Sequence, residues 1–342
     1  MEPLILGALL VISFLVAFSI GGNDEAMAPA VGAKVFTVRA AVLIGAAITV
    51  IGAISLGGNV SEKVGSDMVG GLEMEIDMVF AILISMAIWL LLASITKGLP
   101  ISTTQCIVGS VIGVAIFAPV LGYTEWGVNA INWFVVVEVF VGWILSPIIG
   151  FVFAAVIFAI VRRLQKRAKG FSDFERQEKI AAYLLAGFLI LTSLSRGGND
   201  VANAIAPLIV LPDFAGTYDL GFMIIPRYLV PLLVGGIGMA IGLIVVGRKV
   251  IKTLATEVVT LSPSSALSAS ISVAVIMFVG TLLGLPLSGT HLLVAALIAV
   301  GWVSETPVQM KQVKEILISW VVTVPISAFF AVIVFWFTNG FF

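Results

Sequence analysis

Charge is what this 342-residue chain has least of: Asp, Glu, Lys and Arg make up 11% of it, against about 25% in an ordinary soluble domain. Hydrophobic residues account for 60%, and the mean hydropathy is +1.19. Too little polar surface remains to face water on every side, which excludes a soluble enzyme or binding module. The single cysteine, Cys106, excludes an internal disulfide and a cysteine-based metal cluster. The apolar runs lack the alternating polarity of a β-barrel. No basic residue precedes the first apolar run in Met1-Glu2-Pro3-Leu4, so the expectation is a retained first helix and not a cleaved signal. A net charge of −1 gives no reason to expect nucleic acid as a partner.

What the chain does have is apolar length. Runs at 3–20, 38–58, 78–96, 101–121, 132–161, 226–247, 268–285 and 313–339 are long enough to span a bilayer. Shorter or interrupted runs lie at 181–196, 201–212 and 289–303. The reading is an all-α polytopic membrane protein. Its densest basic stretch runs from Arg162, Arg163, Lys166, Arg167 and Lys169 to Arg176 and Lys179, and the positive-inside rule places that linker in the cytoplasm. The segment 59–77 is acidic, with Glu62, Asp67, Glu73, Glu75 and Asp77 against Lys63, which suits the outer face. With no basic residue at either end, both termini are expected outside. Each half then crosses an odd number of times, and the halves are inverted: 1–161, a linker at 162–180, and 181–342.

The halves share landmarks in the same order. Gly21-Gly22-Asn23-Asp24 recurs as Gly197-Gly198-Asn199-Asp200, Arg39 as Arg227, and Gly98-Leu99-Pro100-Ile101-Ser102-Thr103-Thr104-Gln105 as Gly284-Leu285-Pro286-Leu287-Ser288-Gly289-Thr290-His291. The offsets are 176 (199 − 23), 188 (227 − 39) and 186 (284 − 98), so an insertion falls in the Asp213–Asp219 loop, where it is cheap.

Paired glycines weaken a helix, and Asn-Asp puts an amide and a carboxylate where hydrocarbon excludes both. Both copies are therefore expected to break a helix near mid-membrane and to line a site. The competing reading is a helix-packing notch of small residues, with Asn and Asp capping a following half-helix. The second landmark reads as a helix start: Pro100 and Pro286 end one segment, and hydroxyl residues cap the next. Two such N-termini facing each other would offer N–H groups, Ser102, Thr103, Thr104, Ser288 and Thr290 to a small anion, with the smaller Gly289 standing opposite Thr103. For one copy alone, ordinary capping would suffice.

These residues resemble the inorganic phosphate transporter family over the whole chain. Asn199-Asp200-Val201-Ala202-Asn203-Ala204 is the better copy of its signature, while the first copy departs with Glu25 for valine and Met27 for asparagine. The resemblance implies an inverted-repeat secondary transporter with broken helices and helical hairpins, about 10–12 membrane segments, importing orthophosphate with sodium or protons. Asn23 and Asn199 join the phosphate cage, and Asp24 and Asp200, with the same asparagines, hold sodium. Electrostatics supports cations independently. Phosphate beside two carboxylates is repelled by about 4 kcal/mol per charge pair at 4 Å and an effective dielectric of 20, and neither motif contains a lysine. Two sodium ions are the favoured remedy, and protonation of both Asp residues is the alternative.

Glu138 could be a further cation ligand or an interhelical partner, Gln105 and His291 hydrogen-bonding residues beside the cage, and Asn203 a second amide that the first copy lacks. Sulfate is the runner-up substrate, and a homodimer is compatible with this reading without being required by it. An intramembrane aspartyl protease with Asp24 and Asp200 as a shared-proton dyad is a remote alternative. A passive anion channel differs from a symporter only in its inability to move substrate uphill.

Overall fold

The computed structural model describes residues 3–65, 67–70, 72, 74–96, 100–209, 211–214, 216–219, 221 and 224–340. The expectations for Gly98, Leu99, Glu73 and both chain ends fall outside these residues. Twelve α-helices are described: α1 Pro3–Gly22, α2 Ala28–Gly32, α3 Val38–Gly65, α4 Ile76–Thr96, α5 Thr103–Phe117, α6 Trp133–Gln165, α7 Phe171–Ile209, α8 Leu229–Val245, α9 Arg248–Glu257, α10 Pro263–Leu282, α11 Gly289–Ser304 and α12 Met310–Thr338. Eight are long and apolar enough to span a membrane. The pair α8–α9, bent by 60°, would make a ninth, and α11 is a shorter apolar helix. Helices satisfy their own backbone hydrogen bonds, which is what a hydrocarbon solvent demands. The long α6 and α12 each contain a proline, Pro147 and Pro325, and turn large apolar side chains outward, among them Phe134, Ile144 and Ile148 on α6 and Val321 and Phe329 on α12. Those outward faces suit lipid contact.

Close helix crossings are made by glycine, because without Cβ the backbones can touch. A Cβ on Gly21 of α1 would lie 1.9 Å from Met239 O of α8, and one on Gly242 of α8 would lie 1.9 Å from Phe18 O of α1. The α3–α7 crossing uses Gly197 against Thr49 O, at 2.5 Å, and Gly52 against Leu194 O, at 2.0 Å. The two crossings correspond residue by residue. One partner is displaced by 176 positions (197 − 21 and 194 − 18) and the other by 190 (239 − 49 and 242 − 52).

Two helical hairpins, α4–α5 and α10–α11, point their tips at each other. The second arm of each packs along one of the long helices, α5 on α12 and α11 on α6. In α5, Gly109 and Gly113 bring the backbone against Val324 and Ala328 of α12.

Two expectations are corrected here. The second Gly-Gly-Asn-Asp does not interrupt its helix: α7 runs unbroken through Arg196–Asp200 over 39 residues. The i,i+4 ion pair between Arg196 and Asp200 holds that turn, and the glycines are used for packing, not for a break. The basic linker is mostly helical, since α6 reaches Gln165 and α7 begins at Phe171. The all-α reading holds, with one small exposed hairpin beside the helices, in which Thr217–Asp219 (β1) pairs antiparallel with Ile224–Pro226 (β2) and Tyr218 lies opposite Ile225.

Two apolar cores result. One gathers Leu9–Ile20 of α1, the facing sides of α4 and α5, and Val201–Leu208 of α7. The other gathers Met27–Ala33, Leu185 and Leu189 of α7, and much of α9, α10 and α11. The polar residues 23–25 and 196–200 lie in sequence between the parts of their chain segments assigned to the two cores, so they occupy the seam.

Candidate functional site

In the first copy the helix does end. α1 stops at Gly22, and residues 23–27 run without helix to α2. Asp24 Oδ1 accepts the N–H of Ala26 at 3.0 Å, which stabilises the turn. Asn23, Asp24 and Glu25 are all buried there.

Each asparagine of the motif ties down the hairpin of its own half. Asn23 Nδ2 donates to Ser94 Oγ at 2.9 Å, and its Oδ1 accepts the N–H of Ile101 at 2.9 Å. Asn199 Nδ2 donates to Leu285 O at 2.9 Å and to Thr281 Oγ1 at 3.5 Å. Asn23, expected to contact both phosphate and sodium, thus has both ends of its amide engaged. Asn199 keeps Oδ1 buried without a hydrogen-bond donor.

The acidic residues reach the opposite hairpin. Thr103 Oγ1 donates to Asp200 Oδ1 at 3.3 Å, and Asn203 Nδ2 donates to Thr103 Oγ1 at 3.2 Å. Thr290 Oγ1 donates to Glu25 Oε1 at 2.9 Å. The tips also meet reciprocally: Thr104 Oγ1 donates to Leu287 O at 3.3 Å, and Thr290 Oγ1, whose proton goes to Glu25, lies 3.5 Å from Ile101 O. Both pairs of partners are displaced by 186 positions (290 − 104 and 287 − 101). Ser102 and Ser288 act as the N-caps of α5 and α11, accepting the N–H of Gln105 and of His291, each at 3.3 Å. Their side chains are spent on capping, while Thr103 and Thr290 turn their hydroxyls to the carboxylates of the seam.

At that centre sits a residue the sequence reading left without a role. Arg196 is buried, and its Nε and Nη2 donate to Asp200 Oδ2 at 3.1 and 2.9 Å. Nη1 donates to Glu25 Oε1 and lies 3.5 Å from Asp24 Oδ1. The site therefore contains a cation after all, flanked by three carboxylates, so a formal excess of two negative charges remains when all are ionised. Gly289 makes room for it: a Cβ there would come within 2.7 Å of Arg196 Nε. This is the physical reason for the unequal pair Thr103 and Gly289. Among the described residues no group of three or more His, Cys, Asp or Glu side chains is arranged to hold a metal ion, because the guanidinium stands between the carboxylates.

The remaining residues lie around this cluster. Met27, where the second copy has Asn203, is buried in an apolar core. Gln105 is buried with Oε1 unpartnered. His291 Nδ1 lies 3.4 Å from Trp143 O, its ring rests 3.8 Å from that of Trp320, and Nε2 has no partner. Glu138 does not join the centre. It is exposed at the rim of a cavity of about 200 Å³ bounded by Gly142, Leu145 and the second hairpin tip.

Comparison with known proteins bears on the chain as a whole. Residues 20–331 match the model of the phosphate transporter family. A protein of Pyrococcus horikoshii, named as a candidate phosphate permease, is 30% identical over 95% of this chain and 96% of its own length. The chloroplastic inorganic phosphate transporter 2-1 of Arabidopsis thaliana is 27% identical over 96% of this chain and 71% of its own. A solved structure described as the sodium-dependent phosphate transporter superposes with a TM-score of 0.82 at 27% identity, covering 97% of this chain and 98% of the other.

Proposed function

The chain belongs to the phosphate transporter family, and we propose that it imports inorganic phosphate together with sodium, by alternating access, across a cytoplasmic membrane. One observation carries this reading: two hairpin tips, each opening a serine-capped helix with threonine hydroxyls in its first turn, meet over a buried seam with more carboxylates than cations. The tips supply the anion seat, with Thr103, Thr104, Gly289 and Thr290 lining it and Ser102 and Ser288 fixing the helix starts. The excess negative charge would repel phosphate unless small cations joined it. Buried acceptor oxygens without donors suit that purpose, and Asn199 Oδ1 and Asn203 Oδ1 are two of them. Asp24 and Asp200 complete the cation ligands, Arg196 keeping its bonds to Asp200 Oδ2.

The matched crossings and tip contacts support two related repeats, which we read as inverted, and the basic residues of the linker at 162–180 support its place in the cytoplasm, with both termini outside. The guanidinium between Asp24 and Asp200 leaves no place for the shared-proton dyad of an aspartyl protease.

Purified protein in proteoliposomes, given radiolabelled phosphate and an inward sodium gradient at constant pH, should accumulate phosphate above equilibrium, with sulfate competing poorly. Accumulation that follows only a proton gradient would move the coupling role to protons. Equilibration without accumulation would make the protein a passive channel.

A further inference from the structure

Glu25 and Arg196 carry opposite charges and cancel each other, so the pair does nothing for the charge balance of the seam, which Asp24 and Asp200 set. As a purely structural ion pair it is incomplete. Glu25 is fully buried, yet its Oε2 has no hydrogen-bond partner, and a buried pair offsets its desolvation only when the remaining lone pairs are satisfied. The other carboxylate oxygen occupies a telling place. Glu25 Oε1 accepts from Arg196 Nη1 and from Thr290 Oγ1, and Thr290 is the second residue of α11. One anionic oxygen thus sits at a helix start, between a hydroxyl and a guanidinium, where an anionic substrate oxygen would sit. Gly289, the first residue of α11, leaves the room in which the guanidinium lies against that helix start.

We propose that Glu25 is an internal substitute for the substrate anion: its carboxylate holds Thr290 and Arg196 until phosphate displaces it, and Arg196 then becomes a direct phosphate ligand. The two partners differ in freedom. Arg196 lies on the continuous α7 and keeps two hydrogen bonds to Asp200, whereas Glu25 lies on the short non-helical stretch 23–27. Glu25 therefore moves and Arg196 stays. On the release side the returning carboxylate competes with bound phosphate for Thr290 and Arg196, which speeds release. The proposal rests on the assignment of the hairpin tips as the phosphate seat.

The test is equilibrium binding of radiolabelled inorganic phosphate to the purified full chain at fixed saturating sodium, together with initial rates of uptake, for the wild type, Glu25→Gln and Glu25→Asp. Wild-type protein that binds no phosphate would refute the phosphate assignment itself, and is read first. Given normal wild-type binding, Glu25→Gln should bind phosphate about tenfold more tightly, the scale of one charge-assisted hydrogen bond, and KM and kcat should fall together. Glu25→Asp keeps the charge but is one methylene too short to reach both donors, so it should also tighten binding. It carries the test alone if the neutral variant does not fold. Unchanged or weaker binding in Glu25→Gln would overturn the proposal. So would tight binding in Glu25→Gln beside wild-type behaviour in Glu25→Asp, because charge alone would then account for the effect.

Discussion

The two Gly-Gly-Asn-Asp copies have the same letters and different backbones. The first ends α1 and leaves Asn23, Asp24 and Glu25 on an irregular stretch, while the second is embedded in the uninterrupted α7. What they share is the use of the first glycine to press against a neighbouring helix and of the asparagine to tie down a hairpin. The residues around the motif make the difference. In the second copy Arg196 sits one turn before Asp200 and bonds it along the helix, so helix and ion pair reinforce one another. The first copy has Ile20 in place of Arg196, and Pro29 follows at the start of α2. The result is one helical wall and one irregular wall around the same seam, an arrangement suited to a site that must bind and release.

The comparison breaks most visibly at Arg196. Arg196→Met leaves three buried carboxylates without their counter-charge and should cost about 3–5 kcal/mol of stability, read as a lowered melting temperature that sodium partly restores. Retention of wild-type stability would mean that the carboxylates are not held by this guanidinium.

Next in size are the glycines. Gly21→Val and Gly197→Val should each cost about 1–3 kcal/mol or more by overpacking against backbone, whereas Gly187→Val, with open space around it, should be silent. Unequal effects at 21 and 197 would deny the copies their common packing role.

The caps should follow. Ser102→Ala and Ser288→Ala should each lower stability by about 1 kcal/mol with phosphate KM unchanged, and a raised KM would return these serines to the anion seat. Smallest should be Thr104→Val and Thr290→Val, each removing a hydroxyl worth about 0.5–1.5 kcal/mol and raising phosphate KM by up to roughly tenfold with stability nearly intact. Normal phosphate affinity in both would place the anion elsewhere.

Much of this was legible in the residues. Apolar run lengths gave the long helices, Pro-x-Ser-x-Thr gave both capped helix starts, and the recurring order of landmarks gave their meeting. The break at Gly197-Gly198 was misjudged because glycine weakens a helix by only about 1 kcal/mol, less than close packing and an i,i+4 ion pair return. Arg196 was visible but unread. It stands directly before the second motif as Glu25 stands directly after the first, and two unmatched opposite charges deep in apolar sequence are the mark of a buried pair. No spacing rule joins residues 171 positions apart, so only the fold could unite them. The role of Asn23 as a tie to its hairpin was hidden for the same reason, since its partners Ser94 and Ile101 lie more than 70 positions away.

The central claim is that the two halves converge on one seam through their hairpin tips. Cross-linking tests it most directly, in a Cys106→Ser background carrying either Ile101→Cys with Thr290→Cys or Thr104→Cys with Leu287→Cys. A short thiol-specific cross-linker should join either pair rapidly and within one chain, with phosphate plus sodium altering the rate. Failure of both pairs to cross-link, in protein that folds and stays monodisperse, would show that the tips do not meet and would contradict a single shared site.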